Sequence, residues 1–584
     1  MPQRRACQRS GSKSGPAHAC IITQTSGRMD QGVECDVLVI GSGAGGLSAA
    51  VTSARHGLEV IVAEKDALFG GTTARSGGWL WIPNHPLQKE IGVSDSLEEA
   101  STYLLDQAGE KYDPERVDAF LTNGPRMVEF FTRETAVRFD PSATFSDYHP
   151  DAPGGKPGGR SIVARAFDGR ELGSWLPQLR PPLPELTVFG IMIGSGDELV
   201  HFMRWSKSLA SAAFVARRLL GHGVAKLVHG RGVRLTNGNA LAGRLLKSAL
   251  DAGVQLWARA PAKELVKEGA AVRGAILERE GAPLRVATRR GVVLACGGFP
   301  QDRERRARLF PHPEHHSPAP ESNTGDGLRL AAAVGARIDE SLPNAAAWVP
   351  VSRVPRGDGS WGLFPHFIDR AKPGVIAVTN KGARFVNEGN SYHDFIQALL
   401  AAGETSAWLV TDHRAIRAYG LGFVKPRPLP LGTHLASGYL RRGSTVSALA
   451  RATGVDAAAL EATVAEYNRY AARGEDPAFR KGSTAYNRFY GDPDIAPNPC
   501  VAALATPPFY AVEVVVGDLG TYDGIVTNRH AQVLDANKRP IAGLYAAGND
   551  ALSIMGGNYP GPGITLGPAM TFGWLAGRHL AAAG

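Results

Sequence analysis

The feature that most constrains this chain is an apolar run, Cys35-Asp36-Val37-Leu38-Val39-Ile40, followed at once by Gly41-Ser42-Gly43-Ala44-Gly45-Gly46. A short β-branched run of this kind is the pattern of a strand buried in a parallel sheet. Leu47 to Arg55 has helical composition, Gly57 stops it, and Leu58 to Ala63 reads as a second buried strand ending in Glu64. Strand, glycine turn, helix, strand and acid stand in the order that a dinucleotide-binding βαβ unit requires. Gly41 permits the tight turn, Gly43 lets backbone approach a pyrophosphate, and Gly46 lets the helix pack close to the strand. The helix N-terminus offers free N–H groups and a positive dipole end to phosphate, and Ala44 and Gly45, just before it, belong to the expected cofactor contacts. Glu64 can accept from both ribose hydroxyls and would repel a 2′-phosphate, with Lys65 beside it in the same site. The fingerprint alone serves NAD as well as FAD.

A chain of 584 residues is too long for one ordinary core, and its 43% hydrophobic and 20% charged residues describe a folded α/β protein. Asn239 to Ala252 reads as a helix, Val254 to Trp257 as a strand, and Arg289 to Leu294 as a strand closed by Ala295-Cys296-Gly297-Gly298-Phe299. Gly543 to Asn549 is again strand and glycine turn. A Rossmann-like domain that opens at residue 35 and closes beyond 540 must be discontinuous, interrupted by an inserted α+β substrate or catalytic domain. The expected division is a flexible tail or over-long start at 1–33, with Met29 as the true initiator. The nucleotide domain then occupies 34–310 and 516–584, and the insertion 311–515.

Other classes are excluded on composition. Five of the net nine positive charges, Arg4, Arg5, Arg9, Lys13 and Arg28, sit in the tail, which leaves too dilute an excess for a nucleic-acid partner. The five cysteines, Cys7, Cys20, Cys35, Cys296 and Cys500, show no metal spacing and suit a reducing, cytoplasmic compartment. No secretory apolar core precedes Val33, and no run reaches the ~18 apolar residues of a membrane span. Leu209 to Leu220, interrupted by Arg217 and Arg218, is expected to be a helix packed on the protein's own core rather than one lying on a membrane.

Gly70-Gly71-Thr72-Thr73-Ala74-Arg75-Ser76-Gly77-Gly78 resembles the flavin-contacting loop of the fumarate reductase and succinate dehydrogenase flavoprotein superfamily. The resemblance continues in Ala295 to Phe299, in Thr324-Gly325-Asp326-Gly327 and in the turn at Gly548. It implies FAD rather than NAD, with contacts from Gly71, Thr72, Thr73, Ser76, Gly77 and Gly78. Ala262, Gly297, Asp326, Gly548, Asn549, Gly563, Thr565 and Leu566 complete the expected FAD set. No histidine lies between Gly70 and Gly78, and His85 stands outside the motif, so the FAD is expected to be non-covalent.

Within the superfamily the chain resembles the 3-ketosteroid Δ1-dehydrogenases. The segments that carry this are Asp147-Tyr148-His149-Pro150 with Pro153-Gly154-Gly155, Arg384 to Glu388 with Tyr392, Pro428 to Gly432, and Asn558-Tyr559-Pro560-Gly561-Pro562-Gly563 with Gly567 to Gly573. The resemblance places the chemistry on Tyr148, Tyr392, Tyr559 and Gly563. The Tyr559 hydroxyl and the Gly563 N–H would hold a C3 carbonyl, Tyr392 would take the C2 proton, and Tyr148 would stabilise the phenolate. A hydride would leave C1 for flavin N5, so that C1–C2 becomes a double bond. A tyrosine of pKa ~10 is a poor base and needs a donor or positive field beside it.

Partners implied are a 3-ketosteroid and an external acceptor of the quinone class, with no obligate protein partner; so apolar a substrate also suits peripheral membrane association. Gly520-Thr521-Tyr522-Asp523-Gly524 departs from the family wording and is expected to reshape the pocket near the flavin. Three other readings stand. A 3-ketosteroid Δ4-(5α)-dehydrogenase would use similar groups. A fumarate or urocanate reductase would need cations such as Arg384 and His393. A flavin-binding protein without catalysis would not be reduced by any ketone.

Overall fold

The computed structural model describes residues 32–205, 208–312 and 314–582, so the tail with Met29, Cys7 and Cys20 lies outside the described residues. The strand β1 (Val33–Ile40), the helix α1 (Ala44–Arg55) and the strand β2 (Val60–Ala63) form the expected unit. β2 starts two residues later than the apolar pattern suggests, because Leu58 and Glu59 are spent on the turn that brings the chain back beside β1.

Around that unit runs an eight-stranded sheet in the order Gln255–Trp257, β2, β1, Ala282–Leu294, Ala271–Arg279, Ala262–Glu268, with Pro540–Ala546 added on Ala282–Leu294 and Gln532–Leu534 on Pro540–Ala546. The pairings of Gln255–Trp257, β2, β1, Ala282–Leu294 and Pro540–Ala546 are parallel, which aligns the carboxyl ends of those strands at one edge. Such an edge is where open α/β sheets bind ligands. The strand read as Arg289 to Leu294 begins earlier, at Ala282, because its first half pairs antiparallel with Ala271–Arg279.

A second, six-stranded antiparallel sheet is built from Trp361–Pro365, Ala346–Pro355, Phe509–Thr521, Ser406–Asp412, Val375–Thr379 and Arg441–Gly443. The fold is thus α/β with an added antiparallel layer, as the sequence implies. The helix Leu566–Ala582 returns the chain end to the nucleotide unit. Its Gly573 lies so close to α1 that a Cβ there would stand 2.3 Å from the Gly45 carbonyl oxygen, which explains the glycine-rich wording of this helix.

The segment expected to pack on the core does not. It forms the helix Leu209–His229, buries only Ser211, Val215 and Ala225, and leaves Leu209 91% and Leu227 89% exposed. One side leans on the helix Asp197–Arg204, with Phe214 stacked on His201 at 4.4 Å and Arg218 bonded to Glu198 at 2.7 Å, while the side carrying Leu209, Leu220 and Leu227 is uncovered among the described residues.

Candidate active site

A cavity of about 480 Å³ runs from the carboxyl end of β1 to the aromatic side chains beside the second sheet. Its first half is lined by backbone and short polar groups. Gly41 has φ 106°, and a Cβ on it would stand 2.2 Å from the Ala295 carbonyl oxygen. Gly43, by contrast, would present a Cβ only to Thr73 Oγ1 at 3.7 Å, so the space before this turn is open. Gly43 also stands at the N-cap of α1 with no side-chain cap, which leaves helix N–H groups facing the cavity. One of them is already engaged: Ala44 N–H donates to Thr73 Oγ1 at 3.0 Å.

Glu64 faces the cavity at the end of β2, its Oε2 accepting from Ser42 N–H at 3.1 Å and Ser42 Oγ at 2.5 Å, its Oε1 from Asp66 N–H at 2.9 Å. Burial pushes its carboxyl up, against those donors. Carboxylate oxygens accept roughly two hydrogen bonds each, so capacity for a ribose hydroxyl remains. Lys65 Nζ ties Asp326 Oδ2 and Thr324 Oγ1, both at 2.7 Å, to this corner. Asn323 Nδ2 donates to Thr72 Oγ1 at 3.0 Å and so joins the glycine loop to the Gly297 turn. The turn at Gly548 and Asn549 closes over α1, where a Cβ on Gly45 would be 3.0 Å from Gly548 N.

Of the residues expected to hold FAD, Gly41, Gly43, Ala44, Gly45, Glu64, Lys65, Gly71, Thr72, Thr73, Ser76, Gly77 and Gly78 all line this cavity. So do Ala262, Gly297, Asp326, Gly548, Asn549, Gly563, Thr565 and Leu566. Gly46 lies behind it: a Cβ there would be 2.1 Å from the Gly41 carbonyl oxygen, the close helix–strand contact expected of the third glycine. An elongated cleft with an unblocked glycine turn, a helix N-terminus and a carboxylate at the strand end fits FAD. His85 is off the cavity, with Nε2 2.9 Å from the Gly159 carbonyl oxygen.

The second half is aromatic. Tyr148, Tyr392 and Tyr559 come from a loop, the first turn of the helix Tyr392–Ala401 and the glycine-proline segment before the last helix, yet all three line the same cavity. Their ring centroids are 5.4 Å (Tyr148–Tyr392), 5.4 Å (Tyr148–Tyr559) and 4.9 Å (Tyr392–Tyr559) apart. The Tyr148 hydroxyl donates to the Tyr392 hydroxyl at 2.9 Å. Tyr148 N–H donates to the Pro560 carbonyl at 2.8 Å, locking two of the segments together. A buried network behind fixes that junction: Asp147 accepts from Trp81 Nε1 at 2.7 Å and Arg160 Nη1 at 2.8 Å, and Arg160 also pairs with Asp95 at 2.8 Å.

Gly563 has φ 98°, and a Cβ on it would stand 2.5 Å from the Trp79 backbone, so only glycine fits. Among the described residues its N–H donates to no other group. Burial pushes the Tyr148 and Tyr392 hydroxyls well above the ordinary tyrosine value and Tyr559 up to about 12. The trio is therefore neutral at rest. Tyr148 stands beside Tyr392, but the hydrogen bond between them adds to burial in pushing the Tyr392 hydroxyl up rather than bringing it down.

Several expectations need correction. Tyr522 is off the main cavity, buried behind Tyr559 at 6.5 Å between rings, but with Thr521 it lines a small pocket beside Gly548, Asn549 and Thr565. Arg384 is spent on Glu388 and Asp476, both at 2.7 Å, and His393 accepts from Trp348 N–H at 3.0 Å with burial holding it down at about 4. Neither lines the cavity. Pro428 to Gly432 does not line it either. Missed from the sequence were Phe145, Phe364, Phe367, Phe489 and Tyr490, and Tyr486, whose ring lies 4.6 Å from Tyr148. The spacing of Tyr486 and Tyr490 within one helical turn was the one available signal.

The model of the family described as FAD binding domain matches residues 36–566. A 4-oxocyclohex-2-ene-1-carboxylate 5-dehydrogenase of Sinomonas cyclohexanicum is 42% identical over 563 residues, covering 95% of each chain. A 3-oxosteroid 1-dehydrogenase of Mycobacterium tuberculosis is 37% identical over 94% of this chain and 98% of that one. The crystal structure of a 3-ketosteroid Δ1-dehydrogenase from Sterolibacterium denitrificans, in complex with 1,4-androstadiene-3,17-dione, superposes with a TM-score of 0.87 at 37% identity, over 94% of this chain and all of that one.

Proposed function

This chain belongs to the FAD binding domain family and is an FAD-dependent oxidoreductase, and from that premise we propose that it desaturates C1–C2 of 3-ketosteroids. The observation that carries this is the tyrosine trio on one wall of the cavity with the unpaired Gly563 N–H. The Tyr559 hydroxyl and Gly563 N–H hold the C3 carbonyl and disperse the charge that grows on it; one such contact is worth ~3 kcal/mol. Tyr392 takes the proton from C2, and Tyr148, donating to it, stabilises the phenolate and passes the proton outward. The glycine turns, Glu64 and the Gly71 to Gly78 loop would hold FAD non-covalently, and the bound flavin would supply the acceptor for the hydride leaving C1. A separate quinone-class acceptor then takes the electrons.

A carboxylate-reducing chemistry would need free cations at the reacting centre. Arg384 is committed to Glu388 and Asp476, and His393 is held neutral and off the cavity, which counts against the fumarate reductase reading. Δ4-(5α) chemistry differs only in the bond presented to the same groups. Anaerobic mixing of the holoenzyme with 4-androstene-3,17-dione, followed by visible absorbance and product NMR, separates these. We expect bleaching and a C1–C2 double bond. Bleaching by 5α-steroids alone would move the reading to Δ4, and no bleaching by any steroid would end it.

The division of labour proposed is a nucleotide domain at 34–310 and 516–584 with an inserted domain at 311–515 that brings Tyr392. The helix Leu209–His229 carries no acidic residue, exposes Leu220, Val224, Leu227 and Val228, and supports peripheral docking on an anionic membrane. Among the described residues no helix is long and apolar enough to cross a membrane. Co-sedimentation with phosphatidylglycerol vesicles but not phosphatidylcholine vesicles is the expected result. Cys35, Cys296 and Cys500 are unpaired, which suits a reducing compartment.

A further inference from the structure

We propose that Lys425 is the anion-recognising residue of the substrate half, and that the preferred substrate is a cyclic ketone carrying a carboxylate remote from its carbonyl. The inference rests on the dehydrogenase reading and narrows its substrate class. Among the described residues six charged ones line the cavity, and five belong to the cofactor half. Lys65 is paired with Asp326, Arg180 with Asp66, Glu64 accepts from Ser42, and Arg75 donates to the Pro318 carbonyl. The sixth, Lys425, stands beside Phe364 in the aromatic half.

Among the described residues Lys425 has neither a hydrogen bond nor an ion pair. Its Nζ lies 5.3 Å from the centroid of Phe364 and 5.5 Å from that of Phe423. Ring faces compensate only part of what an ammonium loses on leaving water. Asp369 raises the pKa of the Lys425 ammonium by its charge but forms no ion pair with it; its Oδ2 accepts from Gly422 N–H at 2.9 Å and is bonded to His366 Nδ1 at 2.6 Å, and its Oδ1 has no hydrogen-bond partner among the described residues. His434 also faces the ammonium, and burial together with Lys425 itself holds that imidazole down and neutral. A lysine reaching bulk water would keep its ordinary pKa. Burial, only partly offset by the charge of Asp369, pulls Lys425 down to about 8, so it is a cation at neutral pH with no direct ion-pair partner among the described residues.

The distance scale suits one ligand. Phe364, under the ammonium, is three residues from Phe367, whose ring is 5.3 Å from that of Tyr392. Lys425 and Tyr392 line the same cavity, so one bound molecule can meet both the base and the ammonium. A relative acts on a 4-oxocyclohex-2-ene-1-carboxylate, which has such a carboxylate. A 3-ketosteroid bearing a side-chain acid would present the same chemistry.

The test compares acids with their methyl esters on the wild-type, Lys425→Met and Lys425→Arg holoenzymes, using 4-oxocyclohexane-1-carboxylate and 3-oxo-4-androstene-17β-carboxylate. We expect wild type to favour the acid of one pair by about tenfold or more in kcat/KM. Which pair does so identifies the source of the carboxylate. Lys425→Met should raise KM for that acid about tenfold or more, hold kcat within about threefold and leave the ester unchanged, with Lys425→Arg restoring the acid. The acid's KM should also rise above about pH 8, as Lys425 loses its proton, with no such break for the ester. Equal kcat/KM for acid and ester in wild type, or equal losses on both in Lys425→Met, overturns the inference while leaving the dehydrogenase reading intact. No turnover of acid or ester alike overturns both.

Discussion

The two halves of the cavity solve opposite problems. The cofactor half is backbone brought close by glycine: Gly41 and Gly46 sit where any Cβ would strike a carbonyl oxygen at 2.2 or 2.1 Å. The substrate half is bulk and buried hydroxyl, three tyrosines held by a network that reaches back through Asp147 to Arg160. One half fails by addition of atoms, the other by removal of a single oxygen. This contrast makes it possible to separate binding of the flavin from use of it.

The sharpest way to break the first half is Gly41→Val. A β-branched residue at φ 106° facing the Ala295 carbonyl combines backbone strain with overpacking, expected to cost more than ~3 kcal/mol. The flavin-to-protein absorbance ratio should fall to near zero, with the melting temperature lowered. Tyr392→Phe should do the reverse, keeping flavin content and melting temperature while kcat falls roughly 10²- to 10⁴-fold. Tyr559→Phe removes one of two donors to the carbonyl and should cost about 10²- to 10³-fold in kcat. For a neutral ketone, kcat/KM should rise with pH with no plateau below about pH 10, because Tyr392 acts only as the phenolate and its burial moves that ionisation upward. Smallest of all, Tyr522→Phe should change kcat less than about threefold, since its hydroxyl is off the main cavity.

The cofactor half was legible in the sequence because its constraints are local. A turn that admits no side chain must be written as glycine, and the strand, helix and acid around it lie within one short unit. The substrate half was legible only through family resemblance, which supplied Tyr148, Tyr392 and Tyr559 from three distant segments. What no local rule could supply is the company they keep. Phe145, Phe367 and Lys425 meet because two sheets and a connecting loop bring them there, and nothing in their own segments marks them. The helix Leu209–His229 went the other way. Its apolar pattern suggests core, but periodicity gives a face without saying what covers it.

The central claim is that the cradle binds FAD while the tyrosine wall makes it reducible. Anaerobic single turnover of wild-type and Tyr392→Phe holoenzymes, matched for flavin content and mixed with 4-androstene-3,17-dione, tests this most directly. The account predicts fast bleaching in the wild type and bleaching at least about a hundredfold slower in Tyr392→Phe, with identical starting spectra. Equal bleaching rates would contradict it.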